Sequence, residues 1–207
     1  MISLSFWMLD SYKTIEKESI SVHKQLGSKF IAHLFPIASE RDFKDKLDHL
    51  TKKYNDAKHF CYAYKTLPNG SNFRYNDGGE PNNSAGKPIL AQLERFDITY
   101  CACVVVRYFG GVKLGVGGLI KAFKEVSKQA IQDNYIIQKE RTMQVTINFN
   151  YAQINLVMGM IKKLKLNVLQ QELNEKCIIR LECPFKTEIA MKNTLNREDI
   201  PFQITEN

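Results

Sequence analysis

The chain is predicted to fold as an α+β protein of two domains, residues 1–136 and 137–207. Three features carry this. Hydrophobic residues switch along the chain between a period near two and a period near 3.6, so strands and helices are mixed. One apolar run, Ile98–Tyr108, is long enough and continuous enough for a central buried strand. After Tyr135 the pattern reads β-α-β-β-α-β, which suggests a ferredoxin-like domain.

Strand-like segments lie near Tyr12–Val22 and Lys29–Ile37. A helix follows from Ser39: Ser39 with Asp42 resembles an N-terminal cap, and Phe43, Leu47, Leu50 and Tyr54 share one face. Strands are expected at His59–Thr66 and Asn72–Tyr75, with the Pro68–Gly70 turn between them. The loop NDGGEPNNSAGK leads into a helix with Ile89, Leu90, Leu93 and Phe96 as its apolar face, and a longer helix runs from about Gly117 to Asp133. In the second domain, Met143–Phe149 reads as a strand and Ile154–Leu164 as a helix. Leu166–Leu173 and Lys176–Glu182 read as a hairpin around Asn174, followed by a helix after Pro184 and a last strand at Pro201–Thr205. The boundary is placed near Ile136–Arg141, without a linker composition to mark it.

Composition is that of an ordinary globular protein, with 44% hydrophobic and 25% charged residues. The N-terminus, MISLSFWMLD, has no basic segment and too short an apolar run for a signal peptide, and no run approaches the roughly 20 residues of a membrane span. The five cysteines have no framework spacing and read as reduced thiols of a cytoplasmic protein. A lone C-x-C at Cys101 and Cys103 is no metal motif, and no metal or cofactor is expected.

The net charge of +7 suits an anionic partner. Its placement is more informative. From Ile98 to Lys124 there is no acidic residue, while Arg107, Lys113, Lys121 and Lys124 are all basic. Inside that stretch, RYFGGVKLGVGGL holds five of the chain's 11 glycines: Gly110, Gly111, Gly115, Gly117 and Gly118. Glycines between a strand and a helix have two physical uses. They permit tight packing and positive φ, and they let a helix N-terminus meet an anion through bare N–H groups. On glycines alone both uses stand. Lys121, Lys124 and Lys128, spaced three and four apart, add a basic helix face opposite Leu119, Phe123, Val126 and Ala130. With Lys87, Arg107 and Lys113 this makes a candidate site for phosphate. Neither a P-loop nor a dinucleotide fingerprint fits: Gly115 is followed by Val116 rather than Lys, and GVGGLI lacks the final glycine.

Two constellations admit catalysis as well as structure. Asp77 and Glu80 sit three apart in a glycine-rich turn, where paired carboxylates serve as acid and base, hold a cation, cap turns or the next helix with Ser84, or pair Glu80 with Arg107 or Lys113. His59 and Cys61 are two apart on a strand and face one side, as packed residues or as a nucleophile pair.

HFCYAY, YNDGGEPNNSAGKPIL and VVVRYFGGVKLGVGGLIKAF, taken together, closely resemble the signature of the Impact/YigZ family. Its usual motifs are D-D-G-E-P-x-G-T-A-G-x-P and V-V-x-R-Y-F/Y-G-G-x-K-L-G-x-G-G-L. The resemblance spans about Tyr12 to Ile131, with a following domain that matches the family's usual C-terminal module. It implies an N-terminal domain similar to domain IV of elongation factor G and to a small-subunit ribosomal protein, and a C-terminal domain like domain V of that factor. It also implies a part in translation regulation, with the basic glycine loop contacting nucleic acid or another anion. The first motif carries over to Asp77, Gly79, Glu80, Pro81, Ala85, Gly86 and Lys87, and the second to Arg107, Gly110, Gly111, Lys113, Gly115, Gly117 and Gly118. Gly78 stands where the family has a second Asp, and Asn83 where it has a Gly; Asn tolerates positive φ.

The function expected is a translation-associated binding protein that contacts RNA or the ribosome through the glycine loop, with Tyr108 and Phe109 available to stack on bases. The alternatives are a regulator acting through protein contacts, and an enzyme on a small phosphorylated or nucleotide substrate using Asp77, Glu80 or His59.

Overall fold

The structure, a computed structural model, describes residues 10–206, so the stretch MISLSFWML, on which the absence of a signal peptide was argued, lies outside the described residues. The chain divides into two compact units, Met1–Lys139 and Glu140–Asn207. Both mix helices and sheet, as the α+β reading requires.

The first unit is built on a five-stranded antiparallel sheet of order β2-β3-β6-β4-β5. Its strands are β2 (Ser19–Gln25), β3 (Ser28–Pro36), β4 (His59–Thr66), β5 (Asn72–Asn76) and β6 (Cys101–Tyr108). β6 lies at the centre and is buried along its length because helices cover both faces. Cys101, Cys103 and Val105 pack with Ile89, Leu93, Leu119, Phe123 and Val126 of α2 (Gly86–Arg95) and α3 (Gly115–Gln132). Ala102 and Val104 point the other way, toward Phe43 and Leu50 of α1 (Glu40–Lys53). The continuous apolar run thus marks a strand covered on two sides, here in an antiparallel sheet.

The predicted cap of α1 is present: Ser39 Oγ accepts from the N–H of Asp42 at 3.2 Å, and the Asp42 carboxylate accepts from the N–H of Ala38 at 2.9 Å. The segment Tyr12–Val22 is not one strand. It splits into β1 (Ser11–Ile15) and β2 around exposed Glu16, Lys17 and Glu18, because the two halves pair with different partners. β1 pairs with β7 (Ile136–Glu140), a strand formed within the segment read only as a boundary. β2 joins the main sheet, and its Ser19 and Ser21 hydroxyls donate to the carbonyls of Ala130 and Val126 on α3, both at 2.7 Å. Helix α3 starts at Gly115 rather than Gly117.

The second unit runs β8 (Thr142–Asn150), α4 (Ile154–Leu164), β9 (Asn167–Leu173), β10 (Lys176–Pro184), α5 (Glu188–Arg197) and β11 (Phe202–Glu206). The sheet order is β11-β8-β10-β9, so the return strand β10 lies between the two strands that α4 connects, the split βαβ arrangement. Met143, Val145, Ile147 and Phe149 alternate inward against Val157, Met160, Met191 and Leu195.

His33 is fully buried on the α1 side of β3, with Nε2 2.9 Å from the Tyr54 hydroxyl and Nδ1 3.3 Å from Glu18. Burial outweighs Glu18 and lowers its pKa below 6.5. The unfolded chain therefore binds the proton more readily. Stability is full above pH 6.5 and falls below it by up to about 1.4 kcal/mol per pH unit, until the folded pKa is passed. Urea titrations across that range, compared with His33→Phe, should show the slope only in the parent chain.

Candidate functional site

Cross-strand register assembles the site. His59 on β4 and Phe30 on β3 both lie opposite Arg107 on β6, on the face that carries α2 and α3. Above them lies the loop from Asn76 to Ala85, which holds Asp77 and Glu80. Glu80 and Arg107 are both buried and form an ion pair, Nη1 to Oε1, at 2.5 Å. The Arg107 Nη2 lies 3.4 Å from Ser28 Oγ, and the same oxygen accepts from the N–H of Gly110 at 3.2 Å. The guanidinium carbon sits 5.4 Å from the Phe30 ring centre and 5.6 Å from that of Phe109. Arg107, expected as a phosphate contact at the loop surface, is instead enclosed and neutralised by Glu80. Its β6 position points it to the α2/α3 face, where the Asp77–Glu80 loop brings a carboxylate to it.

Asp77 is equally committed. Its Oδ1 accepts from the N–H groups of Ala85 (3.0 Å) and Gly86 (2.8 Å), and its Oδ2 from that of Asn83 (2.9 Å). It caps α2 from nine residues upstream, where the local cap position is Ala85 and has no side-chain acceptor. Ser84 does not start the helix; its hydroxyl donates to the carbonyl of Pro81 at 2.6 Å. Asn83 adopts φ +59°, the left-handed turn that lets it stand in for glycine. Gly78, in place of a second acid, lies against the β4 backbone: a Cβ there would fall 2.4 Å from the Phe60 carbonyl oxygen.

His59 and Cys61 share a face, as read, and each is bonded to the backbone of the Asp77–Glu80 loop. The His59 Nδ1 donates to the Gly78 carbonyl at 3.0 Å, with Glu80 3.7 Å away, and the Cys61 thiol donates to the Asp77 carbonyl at 3.0 Å. Burial pushes the Cys61 thiol well up and Cys103 up to about 12, which disfavours the nucleophilic thiolate. These bonds tie the Asp77–Glu80 loop to the sheet and to the start of α2, while the Arg107 Nε is buried without a hydrogen-bond partner. Among the described residues, no group of three or more His, Cys, Asp or Glu side chains is placed to hold a metal.

The glycine loop is the accessible part. Gly110 is required by packing, since a Cβ on it would fall 1.9 Å from the carbonyl carbon of Gly27. Gly111 and Gly115 adopt φ +86° and +69°. Gly117 needs neither explanation: it is helical, and a Cβ there would meet nothing within 4 Å. The first turn of α3 contains no acidic residue and no side-chain cap, so its N–H groups end in open space. Lys113, Lys121 and Lys124 are exposed, and none forms an ion pair among the described residues. Lys128 is half-buried and lies 3.7 Å from Glu125. Lys87 is exposed in the first turn of α2, a different element from the other lysines. Tyr108 is held by Asp56 at 2.6 Å, whereas Phe109 is exposed. Sequence reasoning missed Ser28, the bridge between Arg107 and the glycine loop; no motif pattern marks a serine 79 positions from its partner.

Removing Glu80 leaves a buried guanidinium without its counter-charge, a loss of about 3–5 kcal/mol. Urea denaturation of Glu80→Gln and Arg107→Met should each show a large fall in midpoint. The double variant should be less destabilised than the sum of the two. Gly110→Ala should likewise lose about 1–3 kcal/mol through overpacking. Gly117→Ala should gain about 0.5–1 kcal/mol by the ordinary helix preference.

The family model for the Impact N-terminal domain matches residues 26–131, which contain this whole cluster. The IMPACT family member YvyE of Bacillus subtilis is 32% identical over 149 residues, covering 70% of this chain and 67% of that protein. An IMPACT family member of Haemophilus influenzae is 30% identical over 174 residues, covering 83% of this chain and 84% of the relative. A crystal structure of a hypothetical protein shares the fold, with a TM-score of 0.72 at 24% identity over 97% of this chain and 98% of that one. With both glycine-rich motifs folded into one buried ion-paired cluster and relatives matched along most of its length, the chain belongs to the Impact family.

Proposed function

We propose that the protein is a translation-associated regulatory binding protein that contacts RNA, on the ribosome or free, through the glycine loop and the first turns of α3. Membership of the Impact family supports the translation-associated role. The observation that carries the RNA contact is the unopposed positive charge around an open helix N-terminus. Lys113, Lys121 and Lys124 form no ion pair among the described residues, no acid occurs between Ile98 and Lys124, and Gly117 keeps the first turn bare at a cost in helix stability that the fold does not require. Such a surface suits a chain of phosphates: N–H groups and the helix dipole meet one anion, and lysines spaced along the face meet its neighbours.

The enzymatic alternative has less support. Asp77 is saturated by three backbone N–H groups, and Glu80 is held by Arg107. A proton-transfer role for either would require dismantling the loop.

Ribosome co-sedimentation at low and moderate salt is the test. The intact chain should pellet at low salt and release as salt rises. The Lys113→Ala/Lys121→Ala variant should lose most of the pelleting. In a titration against single-stranded RNA, its slope of log affinity against log salt should be shallower by about 1.4, two phosphate contacts at about 0.7 each. Affinity independent of salt, or undiminished in the variant, would overturn the reading.

A further inference from the structure

Phosphate binding explains the lysines but not the carbon between them. Phe109, Val112 and Val116 are 54%, 52% and 51% exposed, and Ile120, one turn after Val116, is also exposed. Leu26, in the turn between β2 and β3, is 58% exposed; its neighbour Gly27 touches Gly110 backbone to backbone, which brings the turn against the loop. Three consecutive pieces of one end of the unit therefore present large apolar side chains to water: hairpin turn, glycine loop and the start of α3. Single exposed apolar residues are ordinary, whereas a group of them rimmed by one sign of charge marks a contact surface.

The hairpin also carries positive charge, on the other face of the sheet. Lys24 and Lys29 stand directly opposite each other on β2 and β3, both exposed and both without an ion pair among the described residues. Like charges directly opposite on paired strands repel. By register they share the α1 face of the sheet with Tyr108 and its partner Asp56, so the positive rim of the apolar group is made by Lys113, Lys121 and Lys124 of the loop and α3.

We infer that this surface takes unpaired nucleotides, its lysines holding the backbone and its apolar side chains, Phe109 foremost, receiving the bases; this rests on the phosphate-binding reading above. A duplex presents phosphates, sugars and base edges to a surface of this kind, because the flat faces of its bases are stacked on one another. Against a duplex, Phe109, Val112 and Val116 stay in water. Unpaired bases offer flat apolar faces that bury an aromatic ring regardless of sequence. Phe109 is the residue prepared for this. The Arg107 guanidinium, fixed by Glu80, backs its ring, and the rest of the ring faces solvent. Tyr108 is not equivalent, since its hydroxyl is engaged by Asp56.

The test is fluorescence anisotropy with the full chain, using a labelled oligouridine and a labelled blunt RNA duplex of the same length at one salt concentration. Oligouridine should bind at least tenfold more tightly. Phe109→Ser should lower oligouridine affinity about tenfold, the scale of one lost stacking contact, and leave duplex affinity unchanged. Phe109→Tyr should retain the preference, and Val116→Ser, at an equally exposed position, should reduce it in the same direction. Equal affinity for the two RNAs, or a Phe109→Ser variant that binds oligouridine as well as the parent, overturns the inference while leaving phosphate binding intact. Absence of binding to either RNA overturns both readings. Thermal unfolding of each variant confirms that a lost preference is not a lost fold.

Discussion

The buried pair of Glu80 and Arg107 is the constraint on which the rest of the first unit's functional end depends. Both residues are largely shielded from water, and each would be costly to bury alone. The pair tolerates burial because the guanidinium is met on several sides: a carboxylate on one nitrogen, Ser28 on another, and the rings of Phe30 and Phe109 over its plane. Through Ser28 it also reaches the N–H of Gly110. One interaction thus joins the Asp77–Glu80 loop, the central strand and the glycine loop. The two motifs, far apart in sequence, are the two halves of a single buried contact.

This arrangement has an electrostatic consequence. The two acids of the Asp77–Glu80 loop are both spent internally, Glu80 on Arg107 and Asp77 on the N-terminus of α2. Neither offsets Lys113, Lys121 or Lys124, none of which forms an ion pair among the described residues. α2 begins with an acid-capped N-terminus and α3 with an uncapped one. The fold therefore closes one helix end and leaves the other open toward solvent, with lysines beside it.

The glycines divide by physical task. Gly110 permits two backbones to touch, Gly111 and Gly115 permit the left-handed turns that swing the chain from β6 into α3, and Gly117 serves neither purpose. Glycines that packing requires and a glycine that it does not stand together in one short segment, so the composition of the loop alone does not separate them. The second unit follows simpler rules: an alternating apolar face on β8 and β10 covered by two helices, with the edge strand β9 exposed along its length.

By itself the sequence determined the α+β class, the central strand Ile98–Tyr108, the cap at Ser39, the βαββαβ order after Tyr135 and the family, because periodicity, capping residues and motif spacing are local properties of the chain. It also limited the candidate site to two short segments. Only the tertiary structure decided what each charged residue in them does. Whether Arg107 faces solvent or Glu80, whether Asp77 is a base or a cap, and that Ser28 bridges to Gly110 all follow from strand register between segments far apart in sequence. The same reason splits Tyr12–Val22 into two strands and makes a strand of Ile136–Glu140: each half pairs with a partner that no local pattern names. Side-chain chemistry is written in the sequence, but burial and pairing, which set whether a charge is neutralised or offered to a ligand, belong to the fold.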